Sequence, residues 1–135
     1  MERKLKLSTF QIGTPAKKGQ GLRVGTTRHP PRGVPKDRWR AEGYFDVWLP
    51  TVAPSAELIS RYRTKLDDPA VRKKFVDTYE REVLAKAESR QTIELLAEIA
   101  ARTPISIGCF CEDESKCHRS RLFEIIRNYA EREPA

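Results

Sequence analysis

Short apolar runs alternate with longer amphipathic stretches in the pattern of hydrophobic and polar positions along this chain. Residues 3–12 alternate basic or polar side chains with apolar ones, which predicts a strand with one solvated face at the edge of a sheet. Residues 22–27 predict a second short strand, and residues 104–111 predict a buried one. The apolar segment 44–49 is too short for its period to distinguish a strand from a helical turn.

Apolar residues recur at helical spacing in four further stretches. Ser55 is a predicted N-cap, and Asp68 caps the next helix with proline at its first position. The predicted helices cover residues 56–65, 69 to about 86, about 90–102, and about 118–129. This element order predicts an α/β fold: a small three-layer domain with a mostly parallel sheet and flanking helices, spanning residues 1–135.

Length and composition agree with one globular domain. The chain has 135 residues, of which 33% are charged and 39% hydrophobic, enough to bury a single core. No apolar run approaches the length of a membrane span, and the basic N-terminus lacks the apolar centre of a signal peptide. We therefore expect a soluble, cytoplasmic protein without membrane contact, and the sequence leaves its oligomeric state open.

The net charge of +7 is unevenly distributed: residues 1–65 carry a balance of +9 and residues 66–135 a balance of −2. The basic half contains the segment 28–36, whose prolines exclude a central strand or a helix interior and predict a rigid loop. Positive charge favours an anionic partner, either a small phosphorylated ligand or a nucleic-acid backbone. A solvated basic surface without a partner would give the same pattern.

A candidate anion site lies where the last strand leads into the final helix. A helix N-terminus above a strand end offers unpaired N–H groups and the positive end of the helix dipole. Because ligands bind beyond the carboxyl ends of parallel strands, the loops 28–36 and 112–119 are predicted to be neighbours. Arginine holds phosphate or carboxylate through two parallel hydrogen bonds. The predicted anion-binding residues are Arg28, Arg32 and Arg119.

Cys111, Cys117 and His118 are the candidate catalytic residues. A thiolate beside arginines and a helix N-terminus is in general activated as a nucleophile, and His118 could serve as its acid or base. Packing alone would account equally well for Cys111 and Cys117, whereas Cys109, inside the strand, is predicted to be a small buried apolar residue. The Cys-x5-Arg cradle of cysteine-dependent phosphatases is absent.

Zinc is a further possibility, because three cysteines and one histidine lie within residues 109–118. The paired cysteine spacing of structural zinc sites is missing, and Cys117 and His118, as neighbours at a helix start, should point apart. Cysteines crowded into one segment also do not make the framework of a secreted protein. We therefore expect reduced thiols, no native disulfide, no metal ligands and no cofactor.

The segment 111–120 resembles the signature of the domain of unknown function 488 family, in which a strand ends in cysteine and leads to Cys-His-Arg-Ser at a helix start. The Arg-x-x-Pro-Arg-Gly loop at 28–33 is also similar to that family, as are the motifs within 48–58 and 75–82. The resemblance covers about residues 22–130. It implies a fold and a set of pocket residues, and it leaves the reaction open.

Two positions depart from the family pattern: Thr27 stands where the family usually has aspartate, and Pro30 where it often has tryptophan. The change at Thr27 removes one natural carboxylate partner for nearby arginines. The sequence therefore predicts an anion-binding pocket and leaves open whether the protein is an enzyme. One hypothesis is an enzyme, or a degenerate enzyme, acting on a small phosphorylated or nucleotide-like substrate. The alternative is a non-catalytic binding module, for example for nucleic acid.

Overall fold

The computed structural model describes residues 4–111 and 117–131. The strands are β1 (Leu7–Gln11), β2 (Leu22–Gly25), β3 (Val47–Trp48) and β4 (Ile105–Cys109), and the helices are α1 (Ala56–Tyr62), α2 (Pro69–Ala85), α3 (Ala87–Ala100) and α4 (His118–Ala130). Short 3-10 turns cover Lys36–Arg38 and Pro50–Val52. Among these described helices, none combines the length and the apolar composition needed to cross a bilayer.

The four strands form one parallel sheet in the order β1-β4-β2-β3. Leu7 and Leu22 both pair with Ile105, so β4 lies in the middle, and every residue of β4 is buried. Burial on both faces explains why apolar and small side chains dominate this segment, with Ser106 as the polar residue within it. The structure confirms the predicted α/β fold. It also confirms that the strands predicted at 22–27 and 104–111 pair in parallel, and that the strand predicted at 3–12 lies at the edge of the sheet.

The structure shifts several predicted boundaries. The first strand begins at Leu7, and the third helix begins at Ala87, directly after α2. The ambiguous segment 44–49 contributes only the two-residue strand β3, which pairs with Val24 and Gly25 of β2. A period cannot be read from so few residues, so the available pairing partner decides their conformation.

All four helices bury side chains in one apolar cluster on the same face of the sheet, together with Val24, Ile105 and Ile107. Capping explains two of the helix starts: the Ser55 side chain accepts from the Leu58 N–H, and Asp68 accepts from the Ala70 N–H. The two predicted N-caps are therefore confirmed.

A second, smaller cluster lies apart from the helical core and comprises Phe10, Ile12, Trp39 and Phe45. The Phe45 ring lies against Gly25 and the Phe10 ring against Gly108, where an added Cβ would overlap each ring. These two glycines leave room for the aromatic rings on this face of the sheet. The third layer of the domain is therefore formed by side chains of the segment 34–48, whereas the flanking helices share the opposite face.

Candidate functional site

One cavity of about 490 Å³ opens at the carboxyl ends of β2 and β4. Its walls include residues 27–32 after β2, residues 109–111 at the end of β4, and Cys117 and His118 at the start of α4. The loops 28–36 and 112–119 are therefore neighbours in their described parts, as the carboxyl-end rule predicts. Residues 112–116 lie outside the described residues.

The cavity combines basic and apolar walls. Arg28, Arg32 and Arg63 contribute to its lining, and Arg32 and Arg63 are exposed. Arg63 directly follows α1 and was not a candidate, because nothing in the sequence indicated that the C-terminal end of this helix faces the 28–36 loop. The apolar part of the lining comprises Pro54, Ile59, Leu66 and Phe75.

Arg28 is half-buried and lines the cavity while also bridging two loops. Its Nε donates to the Pro54 oxygen at 3.0 Å, and its Nη2 donates to the Ala53 oxygen at 3.0 Å. These bonds join the loop after β2 to the segment that enters α1. The guanidinium is thereby held in place at the cavity wall.

Arg119 is 4% exposed and is not among the described residues that line the cavity. Its Nη1 lies 2.9 Å from the oxygens of both Phe10 and Cys111 and 3.3 Å from that of Cys109. The side chain therefore ties the end of β1 to the end of β4. These contacts are structural, and the role of Arg119 in anion binding stays a prediction.

His118 is buried beneath the cavity, with its Nε2 2.8 Å from the backbone oxygen of Thr26. A carbonyl oxygen only accepts, so Nε2 carries the proton and Nδ1 presents its lone pair toward Cys117 Sγ, 3.4 Å away. Burial lowers the pKa of His118 to about 4, the positive charge of Arg119 also lowers it, and the hydrogen bond to Thr26 opposes both. The imidazole is therefore neutral at neutral pH.

The structure sets the Cys109 and Cys117 sulfurs in contact as a disulfide pair, whereas the sequence predicts reduced thiols and no native disulfide. The end of β4 and the start of α4 bring the two sulfurs together across a sequence separation of 8. Cys109 is 2% exposed, which confirms its predicted burial. Cys111 is exposed and lines the cavity.

The expectation that Cys117 and His118 point apart is wrong. Cys117 is the N-cap of α4 and has an extended backbone, with φ −128° and ψ 156°. Its side chain therefore does not follow the helical rotation that would separate it from His118. One donor atom from each of Cys109, Cys117 and His118 lies within 4.8 Å of the others.

Five of the six predicted site residues line the cavity, whereas Arg119 is not among its described lining residues. Sequence reasoning missed Thr26 and Arg63, and it favoured packing over metal binding as the role of Cys109. Thr26 directly follows β2, so its position at a strand end was an available signal. The proximity of Arg63 had no local signal, because it depends on how α1 packs.

The family model described as DUF488-N3a, the active DUF488-N3 subclade, matches residues 7–130. This range contains all four strands, all four helices and every described cavity residue named above. No curated protein and no solved structure gives a significant match to the chain.

Proposed function

The chain belongs to the DUF488 family, in its active DUF488-N3 subclade, and from this premise we propose that it is an enzyme acting on a small phosphorylated or nucleotide-like substrate. One observation carries the proposal: a single cavity joins arginine side chains at its wall to the buried Cys117 and His118. The substrate anion binds at the arginines, and its reacting end faces the cysteine and histidine.

The size and lining of the cavity support a small organic ligand. Its volume of about 490 Å³ falls within the usual range for small-molecule sites, roughly 300–1,000 Å³. Ile59, Leu66 and Phe75 provide apolar surface for a flat or aliphatic portion of the ligand. A few charged groups on a mainly apolar wall are typical of sites that orient one polar end of a ligand.

The arginines support an anion at one end of that ligand. Arg28 is held by the carbonyls of Ala53 and Pro54, so its charge is positioned before a ligand arrives. Arg32 and Arg63 are exposed and belong to two different segments of the cavity wall, and in this proposal both contribute to holding the anion. A phosphate group fits this arrangement because its oxygens accept several charge-assisted hydrogen bonds.

Cys117 and His118 are the candidate reactive groups of the cavity wall. The neutral His118 presents Nδ1 toward Cys117 Sγ, and the Thr26 carbonyl holds the ring in that orientation. The Tyr79 ring contacts His118 edge-on, with 5.1 Å between centroids, and restricts the imidazole further. In the disulfide form the Cys117 sulfur is bonded to Cys109, so reactivity belongs to the thiol form.

The structure favours a small ligand over nucleic acid. Trp39, which lies between the basic residues Arg38 and Arg40, is buried and is not available for stacking on bases. Arg38 pairs with Glu42 and Arg40 pairs with Asp46, so part of the positive charge of this segment is neutralised internally.

Ligand-dependent thermal stability tests the proposal. Inorganic phosphate and a panel of nucleoside monophosphates should raise the Tm of the reduced wild-type protein, because a ligand that binds only the folded state stabilises it. Arg32→Ala should weaken the effective ligand by at least about tenfold, the loss expected for one charge-assisted contact. Arg61→Ala removes an exposed arginine of α1 that is not among the described lining residues, and it should behave like wild type.

A wild-type protein that no phosphorylated compound stabilises would contradict the proposal. Equal weakening by Arg32→Ala and Arg61→Ala would also contradict it, since the effect would then reflect overall charge. A turnover assay with the stabilising compound then compares wild type with Cys117→Ser. The variant should lose activity, because the proposed reaction needs the Cys117 sulfur.

A further inference from the structure

We propose that, in the thiol state, Cys109, Cys117 and His118 bind a divalent metal ion of the zinc type at the inner end of the cavity. All three residues are buried, and one donor atom from each lies within 4.8 Å of the others. Thiolate sulfur and imidazole nitrogen are the donors that zinc prefers in proteins. The inference deepens the proposed function. Metal binding is argued independently of that function, and only the substrate that would meet the ion rests on it.

The distances suit a shared ion. Zinc lies about 2.3 Å from sulfur and about 2.0–2.1 Å from nitrogen, so two donors on a tetrahedral ion are roughly 3.3–3.8 Å apart. Cys117 Sγ and His118 Nδ1 are already 3.4 Å apart. The Cα atoms of Cys109 and Cys117 are 7.7 Å apart, which leaves room for an ion between the two sulfurs once they are thiolates.

Neighbouring groups already orient the donors. The Thr26 carbonyl accepts from His118 Nε2 and leaves Nδ1 as the coordinating atom, an arrangement common to metal-binding histidines. Arg119 Nη1 lies 3.5 Å from Cys109 Sγ and offers that sulfur a charged donor. The three side chains are therefore held by their surroundings, as metal ligands generally are.

The fourth coordination position would face the cavity, because Cys109, Cys117 and His118 all contribute to its lining. Three protein ligands and one open position are characteristic of catalytic zinc, whereas structural zinc is closed by four. Such an ion supplies an activated water or polarises a substrate oxygen. The role of Cys117 and His118 is then to hold the ion at the reactive end of the cavity.

Metal binding would depend on the redox state. A dithiol reductant cleaves the Cys109–Cys117 bond by delivering two electrons and two protons, and it becomes a disulfide itself. The metal ion then replaces the two thiol protons and forms two sulfur–metal bonds and one nitrogen–metal bond. The oxidised protein lacks both thiolates and therefore binds no ion at this site.

Cobalt titration of the full chain tests the inference. Reduced, metal-free protein should bind one equivalent of Co²⁺ with the intense visible absorption and the sulfur-to-metal charge-transfer band of a tetrahedral thiolate site, and Zn²⁺ should displace it. Cys109→Ser, Cys117→Ser and His118→Gln should each weaken binding by at least about tenfold. Cys111→Ser is the matched control, because Cys111 is exposed and outside the cluster, and it should bind like wild type.

The oxidised wild-type protein should show none of these bands. The inference is overturned if reduced wild type binds no stoichiometric Co²⁺, or if Cys109→Ser retains wild-type affinity. It is also overturned if Cys111→Ser abolishes binding. No phosphorylated compound is present in this titration, so a failure here leaves the thermal-shift test of the proposed function independent.

Discussion

His118 Nε2 lies 2.8 Å from the backbone oxygen of Thr26, 92 positions earlier in the chain. This contact joins the first residue of α4 to the end of β2, a neighbour of the central strand. It determines which imidazole nitrogen carries the proton and directs the other one toward Cys117. The chemistry available at the inner end of the cavity therefore depends on this long-range contact with Thr26, whose hydroxyl oxygen also lies 3.1 Å from His118 Nε2.

The burial of His118 predicts a pH-dependent stability. Because the pKa of His118 falls from 6.5 to about 4 in the folded protein, the unfolded chain binds a proton more readily between these values. This contribution to stability is fully present above about pH 6.5 and is lost as the pH falls through about 4, with a magnitude of roughly 2–4 kcal/mol. Denaturant unfolding of the disulfide form at several pH values, with a chelator present, measures the loss.

His118→Gln lacks this titration and should lose less stability than wild type over the same pH range. His29→Gln is the control, because His29 is exposed. The free energy of unfolding of this variant should change with pH as it does in wild type. Identical pH slopes for His118→Gln and wild type would mean that the buried imidazole does not titrate as described.

Arg119→Ala should lower the free energy of unfolding by about 1–3 kcal/mol, because it leaves the buried carbonyl oxygen of Phe10 and the part-buried one of Cys111 without this charged donor. Arg119→Lys should restore little, since one ammonium does not reproduce the guanidinium geometry. Arg102→Ala, which breaks an exposed ion pair with Glu98, should cost less than about 1 kcal/mol. Chemical denaturation measures all three.

Equal stability of Arg119→Ala and Arg102→Ala would contradict the structural role of Arg119. The same variants, melted with and without the stabilising phosphorylated compound, address the anion-binding prediction. A loss of ligand protection beyond the loss of basal stability would support it, and full retention of protection would refute it.

Gly25→Ala should destabilise the protein by about 1–3 kcal/mol, because the new methyl group would overlap the Phe45 ring. In a strand without such a contact, the same substitution would be neutral or favourable, since alanine loses less backbone entropy than glycine on folding. Thermal and denaturant unfolding of the single variant provide the measurement. An unchanged or raised midpoint would show that the segment 34–48 does not pack on this face as described.

Binding to nucleic acid should be weak and should fall steeply with salt, because it would rely on exposed basic side chains alone. Each phosphate that is neutralised on duplex DNA releases about 0.9 counterion. Binding of a phosphorylated ligand in the cavity should change much less between low and physiological salt, since partly buried contacts are screened less. Fluorescence anisotropy with a labelled duplex, compared with the ligand titration, separates the two. Tight, salt-insensitive duplex binding would contradict the small-ligand function.

Local sequence patterns were sufficient to predict the helices and the main strands of this protein. The caps at Ser55 and Asp68, the helical spacing of buried residues and the apolar run at β4 each depend on neighbours in sequence, and they predicted the α/β fold correctly. The meeting of the loops after β2 and β4 also followed from the sequence, because parallel strands place their carboxyl ends at one edge.

Tertiary structure alone decided what the side chains at that edge do. The extended backbone of Cys117 turns its sulfur toward His118, and the approach of Phe10 and Cys111 places Arg119 among carbonyl oxygens. The packing of α1 brings Arg63 to the cavity. These arrangements depend on contacts between residues far apart in the chain, and side-chain direction at a strand end or helix cap is not encoded in hydrophobic periodicity.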